Sequence, residues 1–183
     1  MVKDDLLQQL RCSIGKTKVI ALSAVLEAQQ FALRDLIDLT FFEDDTIAFR
    51  AAWILENFLL KKPEAYLCEL DYLLSRVKEV TYPSCQRHYA KILMHLTAHN
   101  AHAAIRQKMD QTDLEPIVEQ CFDWLIDPKT KVAVKNFSAI TLSNLKERYP
   151  WIEEELKNQM EFLMRNGSAG IQVRGKKILG KNK

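Results

Sequence analysis

The chain has 183 residues, 48% of them apolar and 27% charged, with a formal net charge of +2. That balance fits a folded globular chain and excludes a disordered or fibrous one, and the length suffices for one well-buried domain or a short repeat array. No apolar run approaches the ~18–20 residues needed to cross a bilayer. Met1-Val2-Lys3-Asp4-Asp5-Leu6 also puts acids where a secretory leader carries basic residues, so a cytoplasmic protein without membrane contact is expected.

Helical periodicity runs almost throughout, and alternating strand patterns joined by Asn-Gly or Asp-Gly turns are nearly absent. A short helix holding Leu6, Leu7 and Leu10 is interrupted around Ser13–Gly15. Helices follow at about Lys16–Glu27 and Gln29–Thr40. The acids of Phe41–Asp45 suit the start of the next helix, because a carboxylate accepts the free amide donors of a first turn. That helix reaches about Lys61 with Ile47, Ala51, Leu55 and Phe58 on one face. Pro63 then opens a helix with the stripe Leu67, Leu70, Leu74 and Val77. Thr81-Tyr82-Pro83-Ser84 caps a helix over about Cys85–Leu96, and Thr97–Thr112 reads as a loop plus a short helix. Asp113–Ile126 aligns Leu114, Val118, Cys121 and Leu125. Asp127-Pro128 announces a helix extending to about Tyr149, and Pro150 opens the last one, which ends near Arg165–Gly167. Four of the five glycines lie at or after Gly167, and residues 166–183 read as a flexible basic tail with a single turn around Ile178-Leu179.

One helical pattern is written more than once. Arg50-Ala51-Ala52-Trp53-Ile54-Leu55 is followed by Lys62-Pro63 and an amphipathic helix. Lys135-Asn136-Phe137-Ser138-Ala139-Ile140 is followed by Tyr149-Pro150 and a helix with Ile152, Leu156, Met160 and Leu163. A degenerate copy, Arg87-His88-Tyr89-Ala90-Lys91-Ile92-Leu93, lies between them. Helix pairs of this kind bury their apolar faces only by stacking. The phrases Arg50-Ala51-Ala52-Trp53 after Asp44-Asp45, and Ala133-Val134-Lys135 after Asp127-Pro128, resemble the helices of HEAT repeats. The resemblance covers about residues 16–165. It implies an all-α, right-handed α-solenoid of antiparallel helix pairs, here a single domain over residues 1–165, with scaffolding or partner binding as the function. The same resemblance carries a competing reading, because a minority of HEAT-like folds are DNA glycosylases acting on alkylated bases.

Charge is unevenly spread. Residues 1–164 hold 20 basic against 24 acidic side chains, whereas Arg165, Arg174, Lys176, Lys177, Lys181 and Lys183 close the chain without an acid. An acidic body with a basic end is not the profile of a duplex-binding domain. Cys12, Cys68, Cys85 and Cys121 form no close pair of the kind zinc ribbons need and read as reduced, unreactive thiols. His88, His95, His99 and His102 would share one face of an uninterrupted helix, but the repeat spacing places a turn at Thr97–Asn100, and solvated or capping histidines are expected. Gly15-Lys16-Thr17 lacks the upstream glycine and strand of a phosphate loop and reads as a helix start. Asn136-Phe137-Ser138 and Asn166-Gly167-Ser168 read as chance matches to the glycosylation pattern. The acids Glu43-Asp44-Asp45 and Glu153-Glu154-Glu155 read as first-turn charges. Arg50, Arg87 and Lys135 recur at one repeat position and are expected to bond neighbouring carbonyls or acids. Trp53 reads as core, and Trp151 as the most exposed tryptophan.

The resulting expectation is a non-enzymatic interaction module that binds a protein or peptide along a helical-repeat groove, as a monomer or weak homodimer. No catalytic, cofactor or metal residue is assigned. Trp151, Arg174, Lys176 and Lys177 are the candidate interaction surface. Nucleic acid is the competing partner, and it would require basic and aromatic residues to converge with an acid such as Asp123 or Asp127.

Overall fold

The computed structural model describes residues 2–180, and side-chain caps from Asp44 and His102 start two of its helices. Lys181 and Lys183 therefore lie outside the described residues. Eleven α-helices and no strand occur among the described residues, which form two compact units meeting between Ile92 and Leu93.

The first unit contains α1 (Lys3–Arg11), α2 (Lys16–Ala28), α3 (Leu33–Leu39), α4 (Asp45–Lys61), α5 (Leu70–Ser75) and most of α6 (Pro83–Leu96). Its core is organised by α4, which packs against α1, α2 and α3. Asp44 starts α4 by accepting hydrogen bonds from the amides of Thr46 (2.8 Å) and Ile47 (3.2 Å). Ala48, Ala51 and Ala52 are buried among Ile54, Leu55, Phe58 and Leu59, and their small side chains let neighbouring helices approach closely.

Two expected boundaries move. The helix expected from Gln29 begins only at Leu33, because the preceding residues terminate α2. Gln30 adopts a left-handed φ of 50°, its amide donates to the Glu27 carbonyl at 3.1 Å, and the Phe31 amide donates to that of Leu26 at 2.9 Å. This is a Schellman-type stop, with buried Phe31 supplying its apolar contact. The helix expected after Pro63 is broken into a 3-10 turn at Pro63–Tyr66, the short α5, and a second 3-10 turn at Val77–Glu79. Lys62 gives its start no side-chain cap, and the Tyr66 ring is held against Phe58 with centroids 5.0 Å apart. Leu70, Leu74 and Val77 are nevertheless buried as the stripe requires, while Leu67 is half-buried.

The second unit contains the end of α6 followed by α7 (Ala103–Gln111), α8 (Glu115–Ile126), α9 (Val132–Leu145), α10 (Trp151–Met164) and α11 (Ala169–Ile178). Helix α9 packs against α8, α10 and α11. Asp127 closes the turn before α9 by accepting from the Lys129 amide at 2.9 Å. Where the sequence suggests a flexible tail from residue 166, the structure has α11, packed on α9 and α10 with Ile171 and Gly175 buried. The glycines carry this packing. A Cβ on Gly175 would lie 2.1 Å from Met164 Sδ, and one on Gly170 would lie 3.2 Å from Val132 Cγ1. No described helix is long and apolar enough to cross a membrane.

Candidate functional site

The repeated basic position is structural at two of its three occurrences. The Arg50 guanidinium donates to the carbonyls of Leu10 (2.8 Å) and Arg11 (3.3 Å) at the end of α1. Lys135 Nζ donates to the Leu125 carbonyl at the end of α8 at 2.9 Å. A cation there meets carbonyls without intrahelical donors and the negative end of the helix dipole. Burial lowers the Lys135 pKa below the ordinary lysine value, partly countered by Asp127. Arg148, which the repeat comparison does not align, does the same for α7 through Met109 (2.7 Å) and Thr112 (2.8 Å). Arg87 is exposed.

The histidines are dispersed by the end of α6 at Leu96. His88 is buried between Phe49 and Trp53, and its Nδ1 lies 2.8 Å from Glu56 Oε2. Lys91 reaches the other carboxylate oxygen at 2.5 Å. Burial raises the Glu56 pKa, but the hydrogen bonds from His88 and Lys91 outweigh it and hold it below the usual glutamate value. His102 caps α7 by accepting from the Ala104 amide. Among the described residues no three His, Cys, Asp or Glu side chains converge on a point that would hold a metal ion. Gly15 is the residue before α2 and is preceded by helix α1, not a strand.

The four candidate surface residues divide into two groups. Arg174, Lys176 and Lys177 share α11. Lys176 and Lys177 are exposed, but Arg174 is only half-exposed, and desolvation pulls its pKa down. Trp151 opens α10 and is 49% exposed, stacked on Phe122 of α8 with ring centroids 5.5 Å apart and planes 24° apart. Trp124 is buried and Trp53 half-buried, so Trp151 is the tryptophan most available to a partner.

Sequence reasoning missed Phe122. The signal was present, because Phe122 falls off the stripe Leu114, Val118, Cys121 and Leu125 that buries α8. Phe162, 64% exposed on α10, similarly falls off the stripe Ile152, Leu156 and Met160. At ~100° per residue, Glu154, Glu155, Asn158 and Phe162 lie within about 60° of Trp151, and Glu115, Glu119 and Ile126 within about 60° of Phe122. The aromatic stack therefore sits among carboxylates. Helix α8 carries Glu115, Glu119 and Asp123 without a basic residue, and α10 carries four glutamates against Lys157 alone. Glu155 accepts a hydrogen bond from Gln159, and Glu153, off this sector, from Lys146. Asp127 is occupied in its turn by Lys129 and Thr130.

The model of the HEAT repeat domain matches residues 6–182, nearly the whole chain and both units. The chain belongs to the HEAT-repeat family. Its all-helical architecture is that of the family's α-solenoid, and HEAT repeats are commonly protein-interaction scaffolds. Neither the curated proteins nor the solved structures contain a match to this HEAT-repeat chain.

Proposed function

We propose that this HEAT-repeat chain is a non-enzymatic cytoplasmic adaptor that binds a protein or peptide segment across the outward faces of its helices, with Trp151 as an anchor. The observation that carries the reading is exposed Trp151 stacked on half-buried Phe122. A tryptophan ring half in water and already held by a neighbouring ring loses apolar area to a partner with little ordering cost, and tryptophan is enriched where interfaces hold most of their energy. The family's common role as a scaffold points the same way. Binding to nucleic acid would call for cations around these rings, and the carboxylates of α8 and α10 repel a polyanion instead.

An affinity pull-down from host lysate, with and without nuclease, tests this reading. A stoichiometric protein partner that survives nuclease and is lost from Trp151→Ala is the expected result. Enrichment that disappears with nuclease would replace this reading with nucleic-acid binding and make α11, with Lys176 and Lys177, the next element to alter.

A further inference from the structure

We infer that the α8–α10 face receives a basic amphipathic segment of a partner protein, which seats one apolar side chain on the Phe122–Trp151 stack and sets lysines or arginines against Glu115, Glu154 and Glu155. The inference rests on the adaptor reading above and names the chemistry of the partner. Three observations select it. Trp151 is 49% exposed and off the buried stripe of α10, and half-buried Phe122, at the edge of the stripe of α8, holds it by stacking. Every charged side chain in the sectors next to them on the first two turns of α10 and along α8 is acidic. The first cation in the same sector of α10 is Arg165, beyond Phe162, whose ring it overlies at 5.9 Å.

Charge complementarity excludes the other occupants of an exposed aromatic surface. An anionic membrane or a nucleic acid would meet like charge, and a purely apolar helix would desolvate the carboxylates without compensating charge. A segment with an apolar anchor flanked by cations satisfies both parts of the face. Its ammonium or guanidinium groups also gain from the faces of the two rings. The bound complex weakens with salt, because these pairs sit at the protein surface.

The test uses the full chain and a fluorescein-labelled synthetic peptide of about 18 residues, with leucines on one helical face and lysines on the other. Its counterpart with every lysine replaced by glutamate is the control, and anisotropy is the readout. The lysine peptide is expected to bind and the glutamate peptide not to. Trp151→Ala and the pair Glu154→Lys/Glu155→Lys each weaken binding about tenfold or more, and Lys176→Glu/Lys177→Glu on α11 leaves it within about twofold. Far-UV circular dichroism confirms that these exposed substitutions leave the helices intact. Equal binding of both peptides, or loss of binding only in the α11 variant, overturns the assignment. So does self-association of the chain in sedimentation that Trp151→Ala abolishes and the lysine peptide competes away, which would make a second copy the occupant.

The Glu154→Lys/Glu155→Lys variant is also carried through the nuclease-treated pull-down. A cellular partner retained by this variant overturns the face assignment while the adaptor reading stands. The absence of any nuclease-resistant partner for the unaltered chain removes both.

Discussion

Lys135 is 6% exposed, so its ammonium needs an acceptor inside the fold, and the Leu125 carbonyl provides it. Replacing it with methionine keeps much of the packing volume but leaves that carbonyl without its donor. Lys135→Met is therefore expected to lower unfolding stability by about 1 kcal/mol in urea, whereas Lys131→Met, at an exposed position, changes it by less than about 0.5 kcal/mol. The thiols differ in the same way. Burial pushes Cys85 and Cys121 up to about 12, while Cys12 and Cys68 are exposed. A thiolate-selective disulfide reagent at pH 8 should therefore label Cys12 and Cys68 in the folded protein and reach Cys85 and Cys121 only after unfolding. The sequence already pointed to unreactive thiols from apolar helical neighbours, and this holds for the buried pair. For the exposed pair the neighbours misled, because Cys12 lies just past the end of α1 and Cys68 in the turn before α5, where no helix face directs them inward.

At the scale of elements, legibility followed local chemistry. The starts of α2, α4 and α10 were readable because Gly15, Asp44 and Pro150 act within one turn of the backbone they terminate. Helix α11 was not readable. A run of Gly167, Gly170 and Gly175 has the composition of a mobile tail, and the close packing of Gly170 on Val132 and of Gly175 on Met160 and Met164 joins positions more than ten residues apart. Phe122 was missed for a related reason, since its partner Trp151 lies on another helix. The packing of α11 gives a sharp expectation. Gly175→Leu places a branched side chain where a single carbon already meets Met164, so α11 should separate from α9 and α10. Amide exchange across 169–178 is expected to rise to that of an unprotected segment, with a stability loss of about 2 kcal/mol or less. Ser168→Ala, at an exposed position without a side-chain cap bond, leaves exchange unchanged.

At the scale of the whole molecule, repeat arrays are stabilised mainly by neighbouring elements, so parts of one chain can unfold at different denaturant concentrations. This chain offers a probe in each compact unit, Trp53 in the first and Trp124 in the second. Among the described residues, the buried carboxyl held below its usual value is Glu56, which belongs to the first unit and is bonded by His88 and Lys91. A carboxyl whose folded pKa is depressed binds its proton more readily when unfolded. Its stabilisation is therefore complete above the unfolded value near 4.5 and is lost as pH falls from there through the folded value. Glu153 is depressed by Lys146 in the second unit, but it is exposed and its pair is screened by solvent. Urea unfolding should thus be followed in two variants, Trp124→Phe/Trp151→Phe to report Trp53, and Trp53→Phe/Trp151→Phe to report Trp124. Between pH 7 and pH 4 the Trp53 midpoint is expected to fall further than the Trp124 midpoint. Replacing Glu56 with glutamine should remove most of that difference by lowering the Trp53 midpoint already at pH 7. Two midpoints that coincide and move together at both pH values would instead mean that the chain unfolds in one cooperative transition.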